Sequence, residues 1–580
     1  VNKSEIIDCL NEIAILLELQ GDNPFKIRAY TQGSRALEAL GIPLEELIAG
    51  NRLATVPGIG SALAEKIITL HKTGQLSFYD QLKSAVAPGL LEMLEIPGLG
   101  AKKVRALNRA LGIDNIGALQ TAAENGSIAT LKGFGAKSEA NILQGIYNRK
   151  AYSARHLRWH LISIVDTILE GLRSLTTVQQ AEVAGSFRRG LETVGDLDFI
   201  IASEQPDAVM DWIVEQEIAY EITARGHTKL SLRMEGGLQA DFRIVPKKQF
   251  AFAWHHFTGS KEHNIALRQL ALNHGLSLSE WGFDARKDSN LLPNNVDNES
   301  ELFAVLGLAM IPAEMREGYD ELKMAADRTL PDLIKECDLK GVFHNHTTAS
   351  DGHDSLEDMA AAAAAQGWQY MGIADHSKSS RQAGGLDDSR LLRQIDSIMN
   401  YNERDDAACH IFSGCECDIL PDGSLDLADR TLAKLDYVII AVHSAFSQSM
   451  EEMTQRILRA MEHPSVTMLA HPTGRLLLRR EPYAVDMDAI IEKALEKNIV
   501  IEINANPKRL DMDWRWWRKY FKRGLMTSIN PDAHRVEQLN YVAAGILAAR
   551  KGGLTADAVL NTRSLTEIKG WLKNRHQVKK

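Results

Sequence analysis

Between about residues 340 and 535 the chain repeats one arrangement: a short apolar run ends on a histidine or a carboxylate, and a helical stretch follows. The runs include "YMGIADH", "HIFSGCECDIL", "LDYVIIAVHS", "VTMLAHP" and "IVIEINAN". Strands that alternate with helices in this way predict an α/β domain, barrel-like or layered. In such domains ligands collect at the carboxyl ends of the strands, so side chains far apart in sequence converge there. His344, His346, Asp351, His376, Glu416, His443, His471, Asp532 and His534 occupy positions of this kind. Any one of them is an ordinary structural residue; nine in this placement point to metal. Mixed imidazole and carboxylate donors suit Mn²⁺, Zn²⁺ or Fe²⁺ better than Mg²⁺ alone. A cluster of up to three ions lowers the pKa of a bridging water and polarises phosphate oxygens, which is the chemistry of phosphoester hydrolysis.

The chain has 580 residues, which at about 150 residues per domain predicts three or four units. No segment approaches the roughly 20 apolar residues of a membrane span, and the start "VNKSEIIDCL" lacks the basic end and apolar block of a signal peptide. Five unevenly placed cysteines form no disulfide framework. A cytoplasmic, monomeric protein without a membrane partner is the expectation. The net charge of -10 does not exclude nucleic acid, because an acidic metal-binding domain can mask a basic groove elsewhere.

Up to about residue 150 the pattern is helical, with three similar interruptions: "TVPGIGSALAEKI", "EIPGLGAKKVRAL" and "LKGFGAKSEANIL". Each joins an apolar residue to a helix through a Gly-x-Gly turn: Gly58 and Gly60, Gly98 and Gly100, Gly133 and Gly135. Glycine permits the tight bend, and the first N–H groups of the next helix are left to hold a phosphate. A single turn of this kind also closes ordinary helix hairpins; three favour backbone phosphate binding.

A small α+β unit follows, with "GSFRRGLETVGDLDFII" at residues 185 to 201. Residues i and i+2 of a strand face the same way, roughly 6.6 Å apart. Asp196 and Asp198 therefore share a face, and two carboxylates this close repel unless a cation neutralises them. Asp241 in "LQADFRIV" offers a third carboxylate from a neighbouring strand. Such a trio can hold two Mg²⁺ or Mn²⁺ ions about 4 Å apart for phosphoryl transfer. Gly185 and Ser186 form a turn with free N–H and hydroxyl groups, and Arg188 or Arg189 can clamp phosphate oxygens. The bland alternative is an aspartate pair at a solvent edge with arginines balancing its charge.

This stretch resembles the nucleotidyltransferase motif of family X DNA polymerases, in which Gly-Ser, Arg-Arg-Gly and Gly-Asp-x-Asp occur in this order. "FTGSKEHNIALR" is similar to that family's thumb motif. The resemblance implies Ser186, Arg189 and Gly195, with Arg155, as triphosphate contacts. It implies Gly259 and Ser260 under the incoming sugar, Asn264 near the nucleotide and Arg268 near the nascent pair's minor groove. His256 stands where a tyrosine commonly precedes Phe257, and Gln239 where an arginine often precedes the third aspartate. Lys66 falls at the family's Schiff-base lysine of a deoxyribose-phosphate lyase, and Lys26 at a 5′-phosphate contact, while Ala62 replaces a lysine often found in that pocket.

The histidine-rich part resembles the polymerase and histidinol phosphatase (PHP) domain, and a family X polymerase joined to one is a bacterial arrangement. The combined resemblance implies a helical helix-hairpin-helix region, an α+β palm, a helical thumb and a C-terminal α/β barrel-like PHP domain. The expected divisions are 1-80 (lyase-like), 81-150 (fingers), 151-250 (palm), 251-315 (thumb), 316-338 (linker) and 339-575 (PHP). The activities implied are DNA synthesis for short-gap repair from deoxynucleoside triphosphates on gapped or primer-template DNA, and metal-dependent 3′-5′ exonuclease. Apurinic-site endonuclease activity is a further expectation. The rival is a template-independent nucleotidyltransferase fused to a small-molecule phosphatase. Cys415 and Cys417 flank Glu416, and strand alternation sends both to the opposite face, into packing. "DWRWWRKYFKRG" reads either as a surface that stacks and grips single-stranded DNA or as a partly buried helix with a basic outer face.

Overall fold

A computed structural model of the chain describes residues 3–38, 44–50, 52–94, 96, 98–152, 155–216, 218–285 and 296–578. Two compact units divide it, Val1–Ser153 and Ala154–Lys580. No helix among the described residues is long and apolar enough to cross a membrane.

The first unit is helical. Helices such as Lys3–Gln20, Pro24–Glu38, Ser61–Thr73, Ala101–Leu111 and Ala136–Tyr152 bury one face each in a common core that includes Leu10, Leu17, Ile67, Val104 and Ile146. The three Gly-x-Gly turns are built alike. Gly58, Gly98 and Gly133 have φ of 94°, 84° and 89°, a conformation that a side chain would strain. Gly60 and Gly100 are extended N-caps of the helices Ser61–Thr73 and Ala101–Leu111. Nothing lies within 4 Å of where a Cβ would stand on Gly60, Gly98, Gly100, Gly133 or Gly135, so these surfaces are open to a closely approaching backbone.

The second unit begins with the palm. Its five-stranded sheet has the order Gln180–Val183, Asp196–Ala202, Gln239–Val245, Lys229–Met234, Ala219–Arg225. The helices Arg158–Ser174 and Pro206–Glu215 cover one face around Phe199 and Phe242, which stack at 4.8 Å. The helix Phe250–Thr258 covers the other face and leads into the thumb, whose core gathers Leu267, Leu302, Phe303 and Ile311.

The segment 316–338, expected to be a linker, is instead folded onto the thumb. Met324, Ala325 and Leu333 belong to the thumb core. Two of its charges are met within the thumb: buried Arg316 pairs with Glu299, and buried Glu321 accepts from His263 at 3.0 Å. Those partners lie 17 and 58 residues away, so the sequence shows only charged residues without a period.

The PHP domain is an α/β barrel of parallel strands. Gly341–Val342, Tyr370–Ile373 and His410–Ser413 form one run of the sheet. Glu416–Asp418, Ile439–Ala441, Met468–Leu469, Val500–Asn504 and Thr527–Asn530 form the other. His376 bridges Glu416 and Asn345 bridges Ala533, both in parallel, which links the two runs and closes the sheet. Aromatic and aliphatic side chains, among them Phe343, Tyr370, Phe412 and Tyr437, fill the interior. Cys415 and Cys417 are fully buried on the helix side with the larger core.

The helix Trp514–Tyr520 takes the second of its two readings. Trp514, Trp517, Arg518 and Tyr520 are buried, Arg518 donates to Asp320 at 2.7 Å, and Lys519 pairs with Asp488. Of its outer cations, Arg515 pairs with Asp513 as Lys519 does with Asp488.

Candidate functional site

Two sites arise in the second unit, one in the palm and one in the PHP domain. In the palm, the strands Asp196–Ala202 and Gln239–Val245 run parallel with Asp196 opposite Gln239 and Asp198 opposite Asp241. Asp196 is exposed, Leu197 buried and Asp198 half-buried, so alternation puts both aspartates on the open face. Burial and the charges of Asp196 and Asp241 push the Asp198 carboxyl up to about 7, as like charges crowding an enclosed acid do.

The Gly-Ser segment lies against this acid. Gly185 has φ 61°, and a Cβ on it would come within 2.3 Å of Asp198 Oδ2. Only glycine fits, and Ser186 follows in a short helix, Gly185–Arg188, in place of the expected turn. Gly195 directly precedes Asp196 at the end of the strand Thr193–Val194.

Asp241 has three side-chain partners that sequence reading did not supply. Lys229 Nζ stands 2.9 Å from Asp241 Oδ2, and Gln239 donates to Oδ1 at 3.2 Å. Although burial opposes it, these bonds and one from Ser231 hold the Asp241 carboxyl below the ordinary carboxylate range. The cation missing at Gln239 thus comes from the adjacent antiparallel strand, where Ser231 faces Asp241. Lys229 lies two residues from Ser231 on the same face, a signal available once the pairing is known.

The arginines are engaged rather than open. Arg188 makes two hydrogen bonds to Glu299, at 3.0 and 2.6 Å, and stacks on Trp254. Arg189 donates through Nε to Glu317 at 3.0 Å and through Nη1 to the Thr258 carbonyl. Arg155 is bound to Thr193, through Nε to Oγ1 at 2.8 Å, so it braces the short strand before Gly195. Triphosphate contact through the bonded nitrogens would require each arginine to leave these partners.

In the thumb, Gly259 has φ 71° and the Gly259-Ser260 peptide is cis. Ser260 caps the helix Lys261–Asn273 by accepting from His263 N. Asn264 donates to the His256 carbonyl at 2.8 Å, and Arg268 lies 3.0 Å from His256 Nδ1. Asn264 Oδ1 is buried without a partner. The expected thumb residues are therefore together, with His256 at their centre. In the first unit, Lys66 and Lys26 converge on the Phe78 ring, at 5.3 and 5.0 Å, and Lys26 is paired with Asp22 at 2.7 Å.

In the PHP domain all nine expected residues meet at the carboxyl end of the barrel. Three sets offer ligand atoms within 4.8 Å of one another: His346, Asp351, His376 and His534; His344, His346 and Glu416; and His376, Glu416 and His443. His471 Nε2 lies 2.8 Å from Glu416 Oε1, and Asp532 Oδ1 lies 3.1 Å from His346 Nε2 and 3.6 Å from His344 Nε2. His344 Nε2, His346 Nδ1, His376 Nδ1 and Glu416 Oε2 are buried without hydrogen bonds. His376 Nδ1 and Glu416 Oε2 are 2.8 Å apart yet do not bond, so both aim at a shared centre. Buried orphan donors of this chemistry fit a multi-ion site. The palm trio is less tightly gathered and does not form such a set.

The electrostatics follow from this crowding. Although burial opposes it, His443, His344 and His376 hold the Glu416 carboxyl well below its ordinary range. Against the same burial, Glu416 and Asp418 raise His443 to about 10, and Asp351 and Asp532 raise His534 to about 9. Burial and the neighbouring His534 and His376 depress His346 to about 4.

A further layer of residues escaped the sequence reading. Glu502 accepts from His344 Nδ1 at 2.8 Å and from the His471 backbone N–H at 3.0 Å. Asp418 holds His443 Nδ1 at 2.6 Å. Arg509 Nε stands 3.5 Å from Asp532 Oδ2. Such partners fix the tautomer and orientation of metal-facing imidazoles. A carboxylate between the buried apolar residues Ile501 and Ile503 was the available signal for Glu502.

Comparison with known proteins agrees with this division. The chain matches the families described as helix-hairpin-helix domain (residues 1–76), SAM-like helix-hairpin-helix tandem (90–146), DNA polymerase beta palm (158–242), DNA polymerase beta thumb (253–317) and PHP domain (343–506). It is 38% identical over 575 residues to the DNA polymerase/3'-5' exonuclease PolX of Bacillus subtilis, covering 99% of this chain and 100% of that one. It is 23% identical over 331 residues to DNA polymerase lambda of Rattus norvegicus, covering 52% and 54%. Over 170 residues it is 32% identical to a probable phosphatase of Caldicellulosiruptor saccharolyticus, covering 28% and 64%. With palm, thumb, hairpins and PHP barrel in one chain, and identity along its length to such a relative, the chain belongs to the family X DNA polymerases of bacterial type that carry a C-terminal PHP domain.

Proposed function

We infer that the protein is a DNA-directed DNA polymerase that fills short gaps in DNA, with a metal-dependent 3′-5′ exonuclease in its PHP domain. The observation that carries this reading is the pairing of Asp198 with Asp241 in adjacent strands, with Gly185 pressed on Asp198. Divalent cations, Mg²⁺ or Mn²⁺ in the palm and up to three Mn²⁺ or Zn²⁺ in the PHP domain, supply Lewis acidity toward phosphate oxygens. Asp196, Asp198 and Asp241 hold the palm ions, and Lys229 and Gln239 keep Asp241 ionised and aimed. Ser186, Gly195, Arg189 and Arg155 face the triphosphate. Gly259 and Ser260 support the sugar, with Asn264 and Arg268 beside the base pair and His256 between them.

In the PHP domain the nine ligands hold the ions, while Glu502 and Asp418 keep His344 and His443 pointed at them. The open Gly-x-Gly turns grip the DNA backbone without reading sequence. Lys66, with Lys26 across the Phe78 ring, serves as the amine of a deoxyribose-phosphate lyase, and the PHP site extends to apurinic-site cleavage. The protein acts as a cytoplasmic monomer. The rival pairing of a template-independent transferase with a small-molecule phosphatase is not favoured, given three backbone-binding turns and full-length identity to a relative named polymerase and exonuclease.

The test is extension of a one-nucleotide gap beside degradation of a 3′ end, with Mg²⁺ or Mn²⁺. Asp198→Ala is expected to abolish extension alone and His344→Ala degradation alone. Retention of both activities in both variants would overturn the reading.

A further inference from the structure

The palm segment that carries Arg189 is held from outside the palm. Gly190 packs so closely on the PHP helix Val542–Lys551 that a Cβ on it would come within 2.7 Å of Leu547 Cγ. Two residues on, Glu192 Oε1 lies 3.4 Å from Arg475 Nη2, in the loop that also carries His471. At the end of the PHP helix, Lys551 is 1% exposed. Its ammonium donates to the Arg189 carbonyl at 3.0 Å, to the Glu314 carbonyl at 3.3 Å and to the Glu317 carboxylate. The same Glu317 oxygen accepts from Arg189 Nε at 3.0 Å.

One carboxylate therefore serves two cations, one from the palm and one from the nuclease domain. The Glu317 side chain is 13% exposed, and taking a lone cation away from so enclosed a carboxylate is costly when nothing else compensates it. With Lys551 in place, Glu317 keeps a partner when Arg189 turns away. The Lys551 bond to the Arg189 carbonyl meanwhile fixes the backbone from which that side chain swings.

We propose that Lys551 of the PHP domain is a positioning residue for DNA synthesis, freeing Arg189 from Glu317 to bind the nucleotide's triphosphate. The proposal rests on the reading of Arg189 as a triphosphate contact. It makes the nuclease domain part of the nucleotide site without contributing an atom to it.

The experiment uses the full-length protein with four variants: Lys551→Met, Glu317→Gln, the double variant and Arg189→Ala. Gap filling gives kcat and the KM for the nucleotide, and degradation of a 3′ end in the same preparations reports whether the PHP domain is folded. Lys551→Met is expected to raise the nucleotide KM about tenfold, the scale of one charged hydrogen bond, with kcat and nuclease rate changed less than twofold. Adding Glu317→Gln to it is expected to restore KM, since no carboxylate then retains Arg189. A merely structural Lys551 would give no such rescue. An unchanged KM in Lys551→Met, or a double variant worse than either single one, overturns the proposal. An unchanged KM in Arg189→Ala overturns the underlying reading instead.

Discussion

The palm and PHP sites both gather acids for phosphate chemistry, but they are prepared for it differently. The palm keeps Asp196 exposed and Asp198 half-buried, and parks a lysine on Asp241. The PHP site buries His344, His346, Glu416 and His471 to 2% exposure or less and supports its imidazoles with Glu502 and Asp418. A half-open acidic face can assemble around cations that arrive with a substrate, whereas a buried histidine cage is arranged before any substrate comes.

The contrast breaks most sharply if the two sites cannot be silenced separately. Glu416→Gln is expected to lower exonuclease turnover about a thousandfold and leave gap filling within twofold; Asp196→Ala is expected to do the reverse. Parallel rate assays on one preparation check both. Next in size is the supporting layer. Glu502→Ala is expected to reduce nuclease rate or metal affinity by about 10- to 100-fold, measured by titrating Mn²⁺ against rate.

Proton release sharpens the comparison further. His443 and His534, raised to about 10 and 9, must lose protons before they can bind metal. Because their folded values lie above neutrality, protons compete below pH 9. Apparent metal affinity of the nuclease should climb by up to about tenfold per pH unit for each such proton between pH 7 and 9. A flat profile would show that these imidazoles are neutral in the folded protein.

The smallest effect concerns stability of the palm. Asp198 titrates near 7 when folded, above its unfolded value. Its contribution is fully favourable below about pH 4 and is lost as pH rises through 7. In protein stripped of metal, Asp198→Asn should therefore stabilise by about 2 kcal/mol at pH 8 and by nothing at pH 4. Thermal melts at the two pH values read this directly.

What was legible in the sequence followed from local chemistry. Asp196 and Asp198 announce a strand face by spacing, and several of the PHP ligands announce strand ends because they follow an apolar run. The Gly-x-Gly turns were legible because glycine alone tolerates their backbone. What stayed hidden depended on partners far along the chain. Arg188 and Arg189 looked like free phosphate clamps, yet their carboxylates sit 111 and 128 residues away. The folded state of 316–338 was hidden for the same reason, since its charges are matched by Glu299 and His263. Lys229 becomes visible only when antiparallel pairing sets Ser231 against Asp241, a register that no local pattern states.

The three ligand sets of the PHP barrel are not separate. His346 belongs to two of them, Glu416 to two and His376 to two, so each set hands a member to each of the others. A neutral imidazole can give its one lone pair to only one ion, but Glu416 has two oxygens, so an ion seated on one would hold still the side chain that the next ion needs. Loading should then be cooperative, with intermediate occupancies scarce, and a sub-stoichiometric dose of metal would yield a minority of complete nucleases rather than a population of half-built ones.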